Sequence, residues 1–130
     1  MKNELTVKKG ELITTIDDLG IGEILKPLVN EIHLFDTNIA GTSHLENEAP
    51  LYEVKVGDKL TLKREINRYD DKAILILDSQ ERKLGYVPEK DNVVFSRLMD
   101  AGKLLIAKVN EVKDMDYFFK ISISIYLVDY

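Results

Sequence analysis

The sequence contains no cysteine, and His33 and His44 are its only histidines. Without cysteine the chain forms neither a disulfide nor a thiolate zinc site, and no thiol is present to act as a nucleophile. Two histidines alone are too few for a structural zinc site. The segment that starts at Asp36 resembles a calcium loop only in part, because Ala40 has no side-chain ligand and Asn47 replaces the closing glutamate. We therefore expect no metal and no cofactor.

Long apolar runs are also missing. No stretch approaches the roughly 18 apolar residues of a membrane-spanning helix, and residues 1–10 lack the apolar core of a secretory signal. These absences, together with the lack of cysteine, predict a cytoplasmic protein with no membrane partner.

Motifs of catalysis are absent as well. The sequence has no G-x-x-x-x-G-K-[ST] phosphate loop and no nucleophile-elbow motif. Ser43 and His44 are sequence neighbours, so on a strand they point apart, whereas a catalytic pair must meet through the fold. We therefore expect a protein that is not an enzyme.

The formal net charge of -5 disfavours a protein that coats nucleic acid non-specifically.

The composition, 45% hydrophobic and 32% charged over 130 residues, is typical of one globular domain. Apolar residues alternate with polar ones most clearly between Phe119 and Leu127. We predict strands at residues 31–40, 59–64, 73–77, 83–87, 104–112 and 119–127, with a bend at residues 36–38, a polar loop at residues 45–50, and one helix that follows Pro88, is capped by Asp91 and ends before Gly102. So small a chain buries such strands best in a closed or nearly closed sheet. The predicted fold is mainly β, a small OB-like six-stranded barrel over residues 31–130.

The first 30 residues form a predicted helical extension. Apolar residues between Leu12 and Leu28 recur at intervals of three and four, as on one face of a helix. Gly20, Gly22 and Pro27 argue against one long helix. Such a segment either packs on the barrel and covers a sheet edge, or offers a surface for a partner or for self-association.

Chemistry concentrates in the polar corner between the second and third predicted strands. From Lys59 to Lys72 there are five positive and three negative residues, a local charge of +2 that is opposite in sign to the whole chain. An exposed Tyr69 can stack on a nucleobase, and Asp70 can accept a hydrogen bond from a sugar hydroxyl while repelling a phosphate. Three cations, Arg64, Arg68 and Lys72, can neutralise the phosphates that precede the end of a DNA strand. The alternative is a plain turn, in which Asn67 and Asp70 bond local backbone and Tyr69 caps the core.

Four pieces of the chain together resemble the HIRAN family. They are Ile39-Ala40-Gly41, residues 57–65, residues 67–74 and residues 84–88, and the similarity runs over residues 32–112. The family consists of small β-barrel modules, best known in helicase-like DNA translocases, that grip the 3′ ends of single-stranded DNA. The resemblance thus implies the same OB-like barrel, and it implies that Tyr69 and Asp70 hold the terminal nucleotide.

The chain departs from the family after Gly41. Relatives carry an arginine and aromatic residues there, whereas this sequence has Thr42, Ser43, His44 and Leu45. Ser43 cannot replace a guanidinium, and His44, which can stack and donate a hydrogen bond, is the substitute candidate.

These observations lead to two functional hypotheses. In the first, the chain binds single-stranded DNA at 3′-hydroxyl ends in DNA repair or replication-fork processing, through Ser43, His44, Arg64, Asn67, Arg68, Tyr69, Asp70 and Lys72, and a helicase or nuclease acts in trans. In the second, it is a protein-interaction or structural module that keeps the barrel without the DNA clamp. The two differ in whether Tyr69, Asp70 and Arg64 line one groove of positive potential or lie packed and paired, and a uniformly acidic groove would favour the second hypothesis.

Overall fold

The computed structural model describes residues 30–129, and Ile32–Val128 form one compact unit. The strands are β1 (Asn30–Asn38), β2 (Lys59–Arg64), β3 (Ile74–Leu77), β4 (Lys83–Tyr86), β5 (Leu104–Asp114) and β6 (Phe119–Asp129). The helices are a 3-10 helix (Thr42–His44), α1 (Ala49–Glu53) and α2 (Glu89–Asp100). The predicted helical extension before residue 30 lies outside the described residues. Neither α1 nor α2 has the length and apolar character needed to cross a bilayer, within the part of the chain that the structure describes.

The six strands form one sheet in the order β1-β6-β5-β2-β3-β4. β2 pairs antiparallel with β3 and β5, as β3 does with β4 and β5 with β6. Just past β1, Ala40 forms an isolated antiparallel bridge to Tyr86 at the end of β4, through hydrogen bonds of 2.8 and 2.9 Å. The sheet is not closed by pairing between β1 and β4, but it curls until the chain just past β1 reaches the end of β4 at this bridge. The predicted mainly β, barrel-like fold is confirmed.

The core lies inside this curled sheet. Ile121, Ile123 and Ile125 of β6 are fully buried, because the period of two sends every second side chain inward. They pack in one cluster with Leu105 and Ala107 of β5. Burying each isoleucine contributes about 1.5–3 kcal/mol to stability, so β5 and β6 anchor the barrel.

Three local predictions were wrong in whole or in part. The bend at residues 36–38 is absent, because Ser124 and Ser122 of β6 donate hydrogen bonds of 2.6 and 2.9 Å to the side chains of Asp36 and Asn38 and so hold these turn-prone residues in β1. The polar loop predicted at residues 45–50 holds for residues 45–48 but is wrong at its end, where α1 begins at Ala49 and Leu51 is buried in the core.

The third wrong prediction concerns the start of α2. Asp91 lies inside the first turn, and its carboxylate accepts a hydrogen bond of 2.8 Å from Thr37 instead of capping the helix. Pro88 occupies the N-cap position. The end of the helix is as predicted, because Gly102 adopts a φ of 92° and donates its N–H to Met99.

Candidate functional site

Residues 65–73, between β2 and β3, form the corner that the sequence singles out. The Asn67 side-chain oxygen accepts hydrogen bonds of 2.8 Å from the backbone N–H groups of both Tyr69 and Asp70. Asp70 in turn accepts a bond of 2.9 Å from the N–H of Lys72. These contacts match the turn interpretation, since polar side chains of this kind bond the backbone just ahead of them. Tyr69, however, does not cap the core: 84% of its surface is exposed.

A cavity of about 330 Å³, which we term the Tyr69 cavity, opens beside this corner. Three parts of the chain meet there because the bridge between Ala40 and Tyr86 joins the two edges of the sheet. The lining residues are Ala40, Gly41, Asn67, Tyr69, Asp70, Ala73, Tyr86, Val87 and Glu89. The cavity thus combines two aromatic side chains, two carboxylates and one amide, and no lysine or arginine is among these residues.

The carboxylate of Asp70 is held in a fixed orientation. The side-chain amide of Asn92, which lies in α2 and is 2% exposed, donates a hydrogen bond of 2.9 Å to Asp70 Oδ2. The Lys72 N–H bonds the other oxygen, Oδ1. An ionised carboxylate accepts about four hydrogen bonds, so Asp70 retains acceptor capacity for a ligand.

Glu65 links the two sides of the cavity. Its Oε2 accepts a hydrogen bond of 2.7 Å from the Tyr86 hydroxyl and one of 2.9 Å from the Asn67 amide. These two bonds lower the pKa of Glu65, whereas burial first and then Glu65 raise the pKa of Tyr86. At neutral pH, therefore, Glu65 is an ionised acceptor and Tyr86 a protonated donor. Lys83 completes the network with a bond of 3.3 Å from its Nζ to the Tyr86 hydroxyl.

Arg64 is occupied by structural contacts. Its guanidinium donates to Asp100 of α2 at 2.9 Å, and to the backbone carbonyls of Ala73 and Asp71 at 2.8 Å each. The hydrogen bond to Asp100 raises the pKa of Arg64, and the same contact lowers the pKa of Asp100. Its side chain is 18% exposed and does not line the Tyr69 cavity. Arg64 ties the corner to α2.

The other predicted cations lie at the rim. The guanidinium carbon of Arg68 is 5.9 Å from the centroid of the Tyr69 ring. Lys72 Nζ lies 3.2 Å from Asp71 Oδ1. Neither residue lines the cavity, although both belong to the corner that presents Tyr69.

Ser43 and His44 lie in the 3-10 helix and face two other cavities. Ser43 lines one of about 200 Å³ near the turn between β5 and β6. His44 lines one of about 400 Å³, together with Arg82 and Lys83. The structure therefore brings Asn67, Tyr69 and Asp70 together in one cavity, and places the other predicted site residues outside its lining.

The sequence matches the HIRAN domain family over residues 32–128. The chain belongs to the HIRAN domain family. This confirms the resemblance seen in the four sequence pieces. A search of functionally curated proteins finds no match.

Two solved structures resemble this HIRAN domain. A protein from Lactobacillus plantarum is 26% identical, with 78% of this chain and 99% of that chain covered and a TM-score of 0.72. The HIRAN domain of human HLTF is 14% identical, with 80% of this chain and 82% of that chain covered and a TM-score of 0.62. At 14% identity the second likeness concerns the fold alone.

Sequence reasoning missed several residues that shape the cavity of this HIRAN domain. Tyr86 and Glu65 fall within the sequence pieces that carry the family resemblance, and an aromatic residue at a strand end is the signal that was available for Tyr86. Glu89 and Asn92 carry no such signal. Both follow Pro88 in α2, and only the packing of α2 against the corner brings Asn92 to Asp70.

Replacing Arg64 with alanine is expected to lower the free energy of unfolding by about 2 kcal/mol, because three hydrogen-bonded partners lose their charged donor. Denaturant titration measures this change. Asp100→Asn is the matched control: it keeps both carbonyl bonds of Arg64 and removes only an exposed ion pair, so it is expected to destabilise the fold less than Arg64→Ala does. A stable Arg64→Ala variant with a weaker salt dependence of DNA binding would instead assign Arg64 to phosphate contact.

Proposed function

We propose that this HIRAN domain binds single-stranded DNA at its 3′ end, with the terminal nucleotide in the Tyr69 cavity. HIRAN domains are known as modules that bind single-stranded DNA, and membership of the family supports nucleic-acid binding by this chain. The observation that carries the proposal is Tyr69 itself. A large aromatic side chain that is 84% exposed, at the mouth of a cavity, is poised to stack on a base.

The dimensions and the polar lining of the cavity suit a nucleotide end. A volume of about 330 Å³ lies within the usual range of small-ligand pockets, about 300–1,000 Å³. Tyr69 offers a ring face for the base, and Asp70 offers carboxylate oxygens to the sugar. Because Asn92 and the Lys72 N–H already orient that carboxylate, little ordering is needed when a ligand arrives.

The charge of the lining favours a free hydroxyl over a terminal phosphate. Asp70 and Glu89 both line the cavity, and no lysine or arginine lines it to offset them. A 3′-hydroxyl donates a hydrogen bond to a carboxylate, whereas a 3′-phosphate brings negative charge against it. End specificity therefore follows from repulsion as much as from attraction.

The role we propose is binding without catalysis. A HIRAN domain is a binding domain with no catalytic activity of its own. Within residues 30–129, no group of three or more histidine, aspartate or glutamate side chains is placed to hold a metal ion. The domain then acts in DNA repair or fork processing in the cytoplasm by recruiting a helicase or nuclease to the end it holds.

Fluorescence anisotropy with a short labelled strand that ends in either a 3′-hydroxyl or a 3′-phosphate tests the proposal. We expect the wild-type chain to prefer the hydroxyl end by about tenfold, a difference of about 1.4 kcal/mol. The variant Asp70→Asn loses the charge and keeps one acceptor oxygen, so one of its two donors, Asn92 or the Lys72 N–H, loses its bond. The preference is expected to fall to about twofold, and thermal unfolding of the same preparation checks that the corner stays folded.

Equal affinity for the two ends, or an unchanged preference in Asp70→Asn, would contradict end recognition by Asp70. The absence of DNA binding even at low salt would favour the protein-interaction module instead. Two observations favour that alternative. Arg64 is paired with Asp100 and two carbonyls, which removes one cation from contact with DNA. The lining of the Tyr69 cavity contains two carboxylates and no lysine or arginine, which is the acidic groove expected of a module without the DNA clamp.

A further inference from the structure

The Tyr69 cavity accounts for the terminal nucleotide of a DNA strand but not for the phosphates that precede it. Each nucleotide before the end carries a phosphate, and neutralising phosphates supplies much of the affinity of proteins for single strands. No lysine or arginine lines this cavity, and Arg64 is committed to Asp100 and to backbone carbonyls. The phosphate contacts must therefore lie on a neighbouring surface.

The cavity of about 400 Å³ that His44 lines, here termed the His44 cavity, has the required charge. Lys83, Arg82 and His44 contribute to its lining, against Glu46 as the acidic residue. Arg82 is largely neutralised, because its guanidinium lies 2.8 Å from both Glu53 and Asp78. Lys83, by contrast, makes no direct ion-pair contact with a residue in the range 30–129. The hydrogen bond from Tyr86 contributes most to the lowered pKa of Glu65, and the charge of Lys83, acting through space, contributes least.

Lys83 also connects the His44 cavity with the Tyr69 cavity. Its Nζ lies 3.3 Å from the Tyr86 hydroxyl and 4.7 Å from the centroid of the Tyr86 ring. Tyr86 lines the Tyr69 cavity, and Lys83 lines the His44 cavity. The two cavities thus share the Tyr86 and Lys83 pair as a common wall.

We propose that the His44 cavity is a phosphate subsite, in which Lys83 binds the internucleotide phosphate nearest the 3′ end. The inference rests on the proposed function, because it extends the binding site of the strand whose terminal nucleotide occupies the Tyr69 cavity. An ammonium group bonded to one hydroxyl keeps further N–H donors for phosphate oxygens. His44 is a second donor within the same cavity.

A chain of hydrogen bonds connects this subsite with the residues that hold the terminal nucleotide. Lys83 bonds Tyr86, Tyr86 bonds Glu65, and Glu65 bonds Asn67, which holds the turn at Tyr69 and Asp70. A phosphate that draws Lys83 away from Tyr86 therefore acts on the same set of bonds that positions Tyr69.

In the competing arrangement, the DNA strand runs over the corner and its phosphates pass Arg68 and Lys72.

The test measures the affinity for a strand with a 3′-hydroxyl end as a function of salt, in wild type and in Lys83→Gln. The loss of one phosphate contact is expected to reduce the slope of log K against log salt by about 0.7, and to weaken binding by roughly five- to tenfold near 50 mM salt. Lys83→Arg retains the charge and is expected to restore the wild-type slope. Lys103→Gln, at a lysine that lines neither cavity, is expected to leave the slope unchanged.

A chemically modified strand locates the contact. Replacing the 3′-most internucleotide phosphate with a neutral methylphosphonate is expected to weaken wild-type binding by a similar factor and to have no further effect on Lys83→Gln. Additive losses would overturn the assignment. An unchanged slope in Lys83→Gln together with a reduced slope in Arg68→Gln would overturn it in favour of the corner path.

These outcomes separate the inference from the proposed function. If the wild-type chain binds DNA and depends on Tyr69, but Lys83→Gln behaves as wild type, only the phosphate subsite is wrong. If the wild-type chain binds no DNA at low salt, the proposed function itself fails and the subsite fails with it.

Discussion

Gly85→Ala is expected to lower the free energy of unfolding by about 3 kcal/mol or more, the largest effect expected for an added methyl group at Gly41, Gly57, Gly85 or Gly102. A Cβ at this position would lie 2.3 Å from the Ala40 carbonyl oxygen and 2.6 Å from Ile39 Cγ2. The backbone φ of 152° is also strained for a residue with a side chain. Ala40 cannot move away, because it exchanges two hydrogen bonds with Tyr86, the residue next to Gly85.

Urea denaturation of wild type and variant gives the change directly. Gly102→Ala is the matched control, since its φ is 92° but an added Cβ would meet nothing within 4 Å. It is expected to cost only the backbone strain, about 1 kcal/mol. Equal losses for the two variants would mean that the contact with Ala40 is not what fixes glycine at position 85. Because Ala40 and Tyr86 line the Tyr69 cavity, Gly85→Ala should also weaken DNA binding.

Tyr69→Ala is expected to weaken binding of single-stranded DNA by about 1–3 kcal/mol, or roughly 5- to 150-fold, because the base loses its stacking partner. The stability of the fold should change by less than about 0.5 kcal/mol, since the side chain is 84% exposed. Anisotropy titration and thermal unfolding of the same preparation measure both quantities.

Tyr69→Phe is the control that isolates the ring. It keeps the aromatic face and removes only the hydroxyl, so its affinity should stay within about threefold of wild type. Tyr69→Ala binding that equals wild type would exclude stacking at this residue. A loss in Tyr69→Phe as large as that in Tyr69→Ala would show that the hydroxyl, and not the ring, makes the contact.

Elements that depend on local pattern are predicted well from this sequence. The alternation from Phe119 onward predicts β6, and the structure extends that strand to Asp129. The predicted bounds of β2, residues 59–64, agree with the structure. The hairpin of β3 and β4 is confirmed, with a register shift between Ile76 and Leu77 that the pattern does not contain. In each case the side chains of one segment alone decide which face is buried.

Features that depend on distant residues are predicted poorly. The strand predicted at residues 31–40 agrees with β1 to within two residues, but the bend predicted at residues 36–38 was wrong. β1 continues through Asn38 because hydroxyls of β6 bond its polar side chains, about 84 and 88 residues away. The helix α1 forms where Leu51 reaches the common core, although the preceding sequence is polar. No local propensity contains these contacts, and tertiary packing overrides weak preferences.

In the candidate site, too, local contacts are predicted well from the sequence and distant contacts are not. Asn67 and Asp70 bond backbone two or three residues away, so their turn could be predicted from the sequence. The partner of Arg64 lies 36 residues away and that of Asp70 lies 22 residues away. Whether a charged residue faces DNA or another side chain depends on these distant partners. The sequence therefore identified the corner, but it did not show which of the corner's cations bond other parts of the protein.

Under the proposed function, the bridge between Ala40 and Tyr86 makes the meeting of the sheet edges and ligand binding parts of one equilibrium. Two backbone hydrogen bonds join the sheet edges there, and the Tyr69 cavity takes its lining from both sides of the seam. A ligand that requires the closed seam stabilises it by mass action, by about 2.7 kcal/mol at a hundred times its dissociation constant. The open population of this seam then falls in proportion to the fraction of molecules without ligand, and the amide protons of Ala40 and Tyr86 are expected to exchange with solvent more slowly when ligand is added.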